Sequence, residues 1–465
     1  MPLRPLALLL ACLPALAQPP RIAADPRIEL LSIVFHLAGN PEYNQCRVPA
    51  YCESVDRYFA PFKGDEAIRV AREWSEKYGI SYDAVMSMAI HIKDVETVAE
   101  RIPFDAPDTR LEKRWRAADA RRFLAALRQF VDHAKFRQFL DSHRTLYETT
   151  GARLRSLVES QADLGWFDKF FGAKADARFI VVPGLVNGGG NYGPSLRAED
   201  GREEMYAILG VWQVDADQQP VFDKSFLTTL VHEFAHSYVN PLVDRFAALD
   251  KAGDAVYRPV RSQMRSQAYG DGHTLVCESV VRAATARYVL AHDGAAPARQ
   301  AVRNEEGRSF LWTGELFDLL GGYEADREHF ATLEAFMPKV VEYFASLAPR
   351  ISSMVEAYDA KRPKLTSMSP DNGARDVDPA ITKAVLKFDR PLRGGFSFCW
   401  TTNRELYPKF GKIAYDQTHT TVNIEVQFEP GRDYEFRLNC APGFVSEDGY
   451  AMNELTVKWH TRAAP

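Results

Sequence analysis

Apolar residues recur at helical spacing through much of the first 360 residues and at strand spacing through the last hundred. Residues 28–37 form an apolar run, helix or strand, that must be buried. From 65 to about 160 the helical period dominates. Asp65 and Glu66 open a segment with Ile68, Val70, Ala71 and Trp74 inside, and Gly79 ends it. Residues 119–140 read as a second long helix, with Phe123, Leu124, Leu127, Phe130 and Val131 as its apolar stripe. Two β-type runs follow, at 178–182 and 205–212. Between them lies Asn187-Gly188-Gly189-Gly190, at what reads as a sheet edge. Glycines there let another backbone approach and pair, which would suit an extended peptide substrate. A flexible hairpin loop fits the same residues.

Residues 226–240 are helical and apolar, with Leu227, Leu230, Val231, Phe234, Ala235 and Tyr238 turned inward. Asp223 or Ser225 is the expected N-cap, and Asn240-Pro241 the expected end. Residues 241–272, rich in glycine and polar groups, look like an irregular connection. Helical spacing returns at 274–291 and over about 308–360, and 361–364 is a short charged hinge. Beyond Leu365, residues 384–388, 421–428, 434–438 and 455–459 alternate apolar and polar, separated by turn signals such as Asp371-Asn372-Gly373. About seven such strands make a β-sandwich.

A chain of 465 residues is too long for one core, and two or three domains are expected. A net charge of −5 without long basic runs argues against nucleic acid as a partner. The start carries an address. Arg4, the apolar stretch Leu6 to Leu16 and the small-residue site Ala15-Leu16-Ala17 read as a signal peptide over residues 1–17. Cys12 gives only a faint lipoprotein signal, because cleavage there leaves a very short leader, and anchoring through it is not expected. No later segment has about eighteen uninterrupted apolar residues, so no transmembrane helix is expected in the mature chain. An exported protein, periplasmic or extracellular, follows. Export permits disulfides. Cys46 and Cys52 are near enough to close a small loop, Cys399 and Cys440 fall in the β region, and Cys277 reads as a small buried hydrophobe.

The candidate chemistry sits in His232-Glu233-Phe234-Ala235-His236. Histidines four apart on a helix project to one side, as two ligands of one tetrahedral zinc must. The adjacent Glu233 is placed to take a proton from a water on that zinc. A third ligand is needed. Val239 and Leu242 occupy the positions where a metzincin has glycine and histidine, which excludes that class. Glu278 is the best candidate, being acidic in an otherwise apolar helix, with Arg282 one turn on as a rival partner. Asp271 and His273 are the runners-up. Tyr269, His273 and Tyr257 are candidates to stabilise the transition state. His91, His133 and His143 read as ordinary surface or core histidines.

Residues His232 to Pro241, followed by Glu278-Ser279-Val280-Val281-Arg282, resemble a gluzincin-like family of exported bacterial proteins, known mainly as a domain of unknown function. The resemblance covers roughly residues 28–350. It implies a zincin fold with His232, His236 and Glu278 as zinc ligands and Glu233 as general base, and supplies no substrate. Ser369 to Pro379 and Phe388 to Pro391 resemble a bacterial Ig-like domain of the surface-layer-protein type. That module usually spaces or attaches a neighbour.

The expectation is therefore a multidomain α+β protein. A largely helical zincin-like metallopeptidase domain with a small β-sheet spans 18–360, with a helical part at 28–160, an active-site part at 176–295 and further helices at 300–360. An all-β Ig-like sandwich spans 364–465. One Zn(2+) per chain, a peptide or protein substrate and attachment to the cell envelope complete the expectation. The rival is a zinc-holding but inactive envelope binding or adhesion protein.

Overall fold

The structure, a computed structural model, describes residues 19–172, 177–441 and 443–463. The expected signal peptide and Cys12 lie outside the described residues. A short strand β1 (Arg21–Ile22) precedes helix α1 (Pro26–Ala38). The ambiguous run at 28–37 is thus a helix. The Asp25 side chain accepts from the Arg27 N–H, Pro26 opens the first turn and Gly39, at φ +94°, closes the last. Around α1 lie α2 (Pro49–Phe59), α3 (Glu66–Tyr78) and α4 (Asp83–His91). They bury it on nearly every side. As expected, Asp65 caps α3 and Gly79 ends it.

The long helix expected over 119–140 is two helices, α5 (Ala117–His133) and α6 (Phe136–Ser142). Lys135 takes a left-handed φ of +47° between them. After the break, Phe136 and Phe139 lie in the core beside Phe59. Helices α7 (Arg144–Gln161) and α8 (Gly165–Phe171) follow.

The sheet is built from β2 (Arg178–Gly184), β3 (Ser195–Arg197) and β4 (Glu203–Gly210) in the order β1-β2-β4-β3. Strands β1, β2 and β4 run parallel, and β3 is the antiparallel edge. β2 and β4 are buried along almost their whole length, which is why they read as continuous apolar runs. A small hairpin, β5 (Gln213–Val214) with β6 (Pro220–Val221), leads to the next helix.

That helix is α9 (Ser225–Val243), followed by α10 (Ala248–Arg265), α11 (Gly272–Asp293), α12 (Ala295–Gly307), α13 (Thr313–Ala325), α14 (Leu333–Leu347) and α15 (Ile351–Lys361). Of the two candidate caps for α9 neither holds the cap position, which falls on Lys224 without a side-chain cap bond; Asp223, one residue earlier, accepts from the Ser225 N–H at 2.8 Å. Two further expectations fail here. Pro241 does not end α9, which continues to Val243; burial of Leu242 and Val243 keeps the last turn helical despite the hydrogen bond the proline cannot make. Nor is 241–272 irregular. Its Gly253 and Pro259 lie inside α10, which is held by buried Leu249, Ala252, Val256, Val260 and Met264 at helical spacing.

The chain divides into two compact units. The first takes in the described part of Met1–Lys251 with His273–Ala298 and Leu316–Glu342. The second joins Ala252–Gly272, Arg299–Glu315 and Tyr343–Pro465, so the hinge expected at 361–364 lies within it. Its β-rich part has strands β7 (Leu365–Ser369), β8 (Lys383–Phe388), β9 (Phe398–Trp400), β10 (Lys409–Tyr415), β11 (Thr421–Gln427), β12 (Asp433–Leu438) and β13 (Leu455–His460). They form two antiparallel sheets, β10-β11-β8-β7 and β13-β12-β9. Alternate residues of both, such as Leu386, Ile424, Phe436 and Trp459, share one apolar core.

Candidate metal centre

Helix α9 is fixed from its apolar side. Phe226 stacks on Trp212, Phe234 meets Phe167 and Phe179, and Tyr238 stacks on Phe167 and Phe171. The helix packs along β4. His232 and His236, four residues apart, therefore leave the helix on one common side. Their Nε2 atoms are 3.2 Å apart.

Glu278 comes from α11. One carboxylate oxygen is 3.6 Å from His232 Nε2 and the other 3.5 Å from His236 Nε2. Two ligands about 2.0–2.1 Å from a tetrahedral zinc stand about 3.3 Å apart, so all three separations suit one ion. The donor set also suits it: two imidazole nitrogens and a carboxylate make a three-ligand zinc site with one position open. Among the described residues, these three form the one group of mutually close histidine, cysteine or carboxylate donors that could hold a metal. The structure thus brings together the expected trio and not the runners-up Asp271 and His273.

The surroundings orient the donors. His236 Nδ1 faces Asn240 Oδ1 at 3.2 Å, which leaves Nε2 for the ion. Arg282 donates to Glu278 at 2.9 Å, so the salt bridge and the approach to the imidazoles coexist. Burial alone would raise the Glu278 pKa. Arg282 and the two imidazoles reverse that and bring it to about 2. Glu278 is a carboxylate inside the protein. Its neighbour Glu233, also buried, is pushed well above the ordinary carboxylate range, by burial first and then by the Glu278 charge, with Arg282 opposing. Two carboxyls with opposite shifts in one site suit a ligand and a proton carrier.

Gly193 packs against the backbone of Glu233. A Cβ there would come within 2.1 Å of the Glu233 carbonyl oxygen, so only glycine lets the segment entering β3 lie on α9 at this point. Of the glycines at 188–190, Gly188 lies against a segment of the chain itself. Gly188, at φ +54°, is buried, and a Cβ on it would sit 2.0 Å from the Gln45 carbonyl oxygen. Asn187 is fully buried and accepts from Ser32. The backbone that approaches this turn is the chain's own.

Tyr257 and Tyr269 belong to the second unit, where the Tyr257 hydroxyl donates to the Tyr269 carbonyl at 3.1 Å. His273 lies at the start of α11, and its ring nitrogens face Asp244 and Asp250. His91 is buried with Nδ1 on the Ser87 carbonyl, His143 faces the Phe139 carbonyl and His133 is exposed beside Asp65. Both disulfides form, Cys46–Cys52 and Cys399–Cys440, with Cα separations of 6.2 and 6.4 Å. They suit an oxidising compartment. Cys277 is buried with a free thiol. Asn240 is the partner that sequence reading missed; it appeared there only as a helix stop, although its i+4 spacing from His236 was visible.

The family model "Domain of unknown function (DUF4932)" matches residues 21–343, well over half of the chain. The chain belongs to the DUF4932 family. No curated protein matches this DUF4932 chain. Among solved structures it is similar to domains 1–6 of surface layer protein SbsC at 16% identity, over 50% of this chain and 33% of that one, with a TM-score of 0.17. A longer SbsC fragment gives 14% identity, 82% and 46% coverage and a TM-score of 0.18. The N-terminal part of SbsC gives 11% identity, 82% and 79% coverage and 0.17. The chain spans less than half the length of the first two. TM-scores this low carry no argument about the DUF4932 fold. Among the described residues, no helix is long and apolar enough to cross a membrane.

Proposed function

We propose that this DUF4932 chain is an exported zinc metallopeptidase of gluzincin type, with zincin-like architecture around α9 and α11. The observation that carries the reading is the convergence of two imidazoles and one carboxylate at zinc-ligand spacing, beside a buried glutamate. His232, His236 and Glu278 would hold the ion. When bound, zinc polarises a carbonyl and lowers the pKa of a water to about 7.

Glu233 accepts a proton from the attacking water and passes it to the leaving amine as the C–N bond breaks. Arg282 holds Glu278 charged, and Asn240 holds His236 in the tautomer that offers Nε2. The outer strand β3, reached through Gly193 beside Glu233, is the segment an extended peptide would pair with. The β-rich region we read as an Ig-like module that keeps the catalytic part near the envelope or a polymer.

The test is hydrolysis of a mixed peptide library by wild type and by Glu233→Gln. The reading expects zinc retained in both, and activity about a hundred- to ten-thousandfold lower in the variant. Equal behaviour of the two, with zinc bound, would leave a zinc-holding binding protein instead.

A further inference from the structure

We propose that His273 is a positioning residue for this site: its imidazole, shared between Asp244 and Asp250, fixes α11 against α9 and so sets where Glu278 meets His232 and His236. The inference rests on the metal reading above and adds a residue that touches neither metal nor substrate.

The ligands come from two helices, so something must set one helix against the other. A slip of about 1 Å between them would spoil the 3.6 and 3.5 Å separations of Glu278 from the two imidazoles. His273 stands in the first turn of α11, five residues before Glu278. Its Nε2 is 3.2 Å from Asp244, the residue that caps the end of α9 eight positions after His236. Its Nδ1 is 2.9 Å from Asp250, in the first turn of α10. Three helix ends thus meet on one ring.

A neutral imidazole carries one N–H and can satisfy one carboxylate as a donor. Only the imidazolium donates to two. The charge is therefore part of the geometry: Asp244 first, then the Cys277 sulfur and Asp250, raise the imidazole pKa to about 11 against the opposing effect of burial. Only Asp250, in the first turn of α10, suits its helix end; the Asp244 anion at a C-terminus and the His273 cation in a first turn are each unfavourable alone and neutralise one another. The Cys277 sulfur, 3.7 Å from Nε2, places the same ring next to the residue before Glu278.

Both aspartates are largely exposed, so solvent screens the cluster and the coupling is smaller than for a buried orienting partner. We expect a loss of metal affinity of about three- to tenfold when the charge is removed.

The experiment uses the full chain loaded with cobalt(II), whose visible absorption reports ligand number and geometry, together with chelator competition for affinity. Wild type is compared with His273→Gln, His273→Lys and the double variant Asp244→Asn/Asp250→Asn. The expected result is a weakened affinity and an altered cobalt spectrum in His273→Gln and in the double variant, with both restored towards wild type in His273→Lys. The double variant leaves α11 untouched, so it answers the question even if His273→Gln folds poorly. Wild-type spectra and affinity in both charge-removed variants would overturn the positioning role while leaving the metal site standing. A loss that lysine does not restore would also overturn it, because packing rather than charge would then hold the helix. Failure of wild type to bind cobalt would overturn the metal reading itself, before any variant is measured.

Discussion

Glu278 keeps its charge in the interior because Arg282 and two imidazoles surround it. Removing the arginine leaves a buried carboxylate with weaker compensation. Arg282→Met should destabilise the metal-free chain by about 3 kcal/mol, and saturating zinc should recover much of that, because the ion takes over the neutralisation. Melting curves with and without zinc check this; an equal loss in both would contradict it.

A second buried glutamate answers to pH. Glu29 accepts from the Tyr51 hydroxyl at 2.6 Å and from the Leu185 N–H at 3.0 Å, and Tyr51 in turn pairs with Tyr147. Burial raises its pKa from 4.5 to about 7, the two hydrogen bonds opposing. The folded chain thus binds this proton more tightly than the unfolded chain. The stabilising contribution is complete below about pH 4.5 and is lost as pH rises towards 7, on the order of 3 kcal/mol in all. Glu29→Gln keeps the acceptor for Leu185 and removes the titration. Its stability relative to wild type should therefore rise between pH 5 and pH 8 in urea titrations. A constant difference would contradict the account.

At the scale of elements, Gly188 and Gly201 separate backbone conformation from crowding. Both have positive φ, but a Cβ on Gly201 meets nothing, whereas one on Gly188 strikes the Gln45 backbone. Alanine should cost about 1–2 kcal/mol at 201 and on the order of 3 or more at 188. Comparable costs at both positions would remove the packing argument.

Helix α9 was readable because its period, its His232-Glu233-x-x-His236 spacing and its apolar side all agree. Glu278 was readable as an acid out of place in an apolar helix. Helix α10 was hidden by Gly253 and Pro259, local breakers overruled by buried Leu249, Val256 and Val260. The break at Lys135 carries no glycine or proline, so nothing local announced it. Within the run 188–190, Gly188 did signal a close approach of another backbone. That the backbone was Gln45, more than 140 residues earlier, is a long-range fact no local pattern holds.

For the molecule as a whole, the two disulfides close loops of different size. Cys46–Cys52 spans 6 residues and Cys399–Cys440 spans 41. Loop entropy alone assigns them about 2 and about 4 kcal/mol respectively. Replacing each pair by alanine should therefore lower stability more in the β-rich part, as read by unfolding in denaturant; the reverse order would show that strain or residual structure dominates. The division into two units also makes separate transitions the natural expectation, with zinc shifting only the one that contains α9 and Glu278.

The central claim is that one ion is held by His232, His236 and Glu278. Elemental analysis of the purified full chain beside His232→Ala and Glu278→Ala addresses it most directly. The account predicts close to one zinc per chain in wild type and little in either variant. Wild type without near-equimolar zinc, or variants that retain it, would contradict the account.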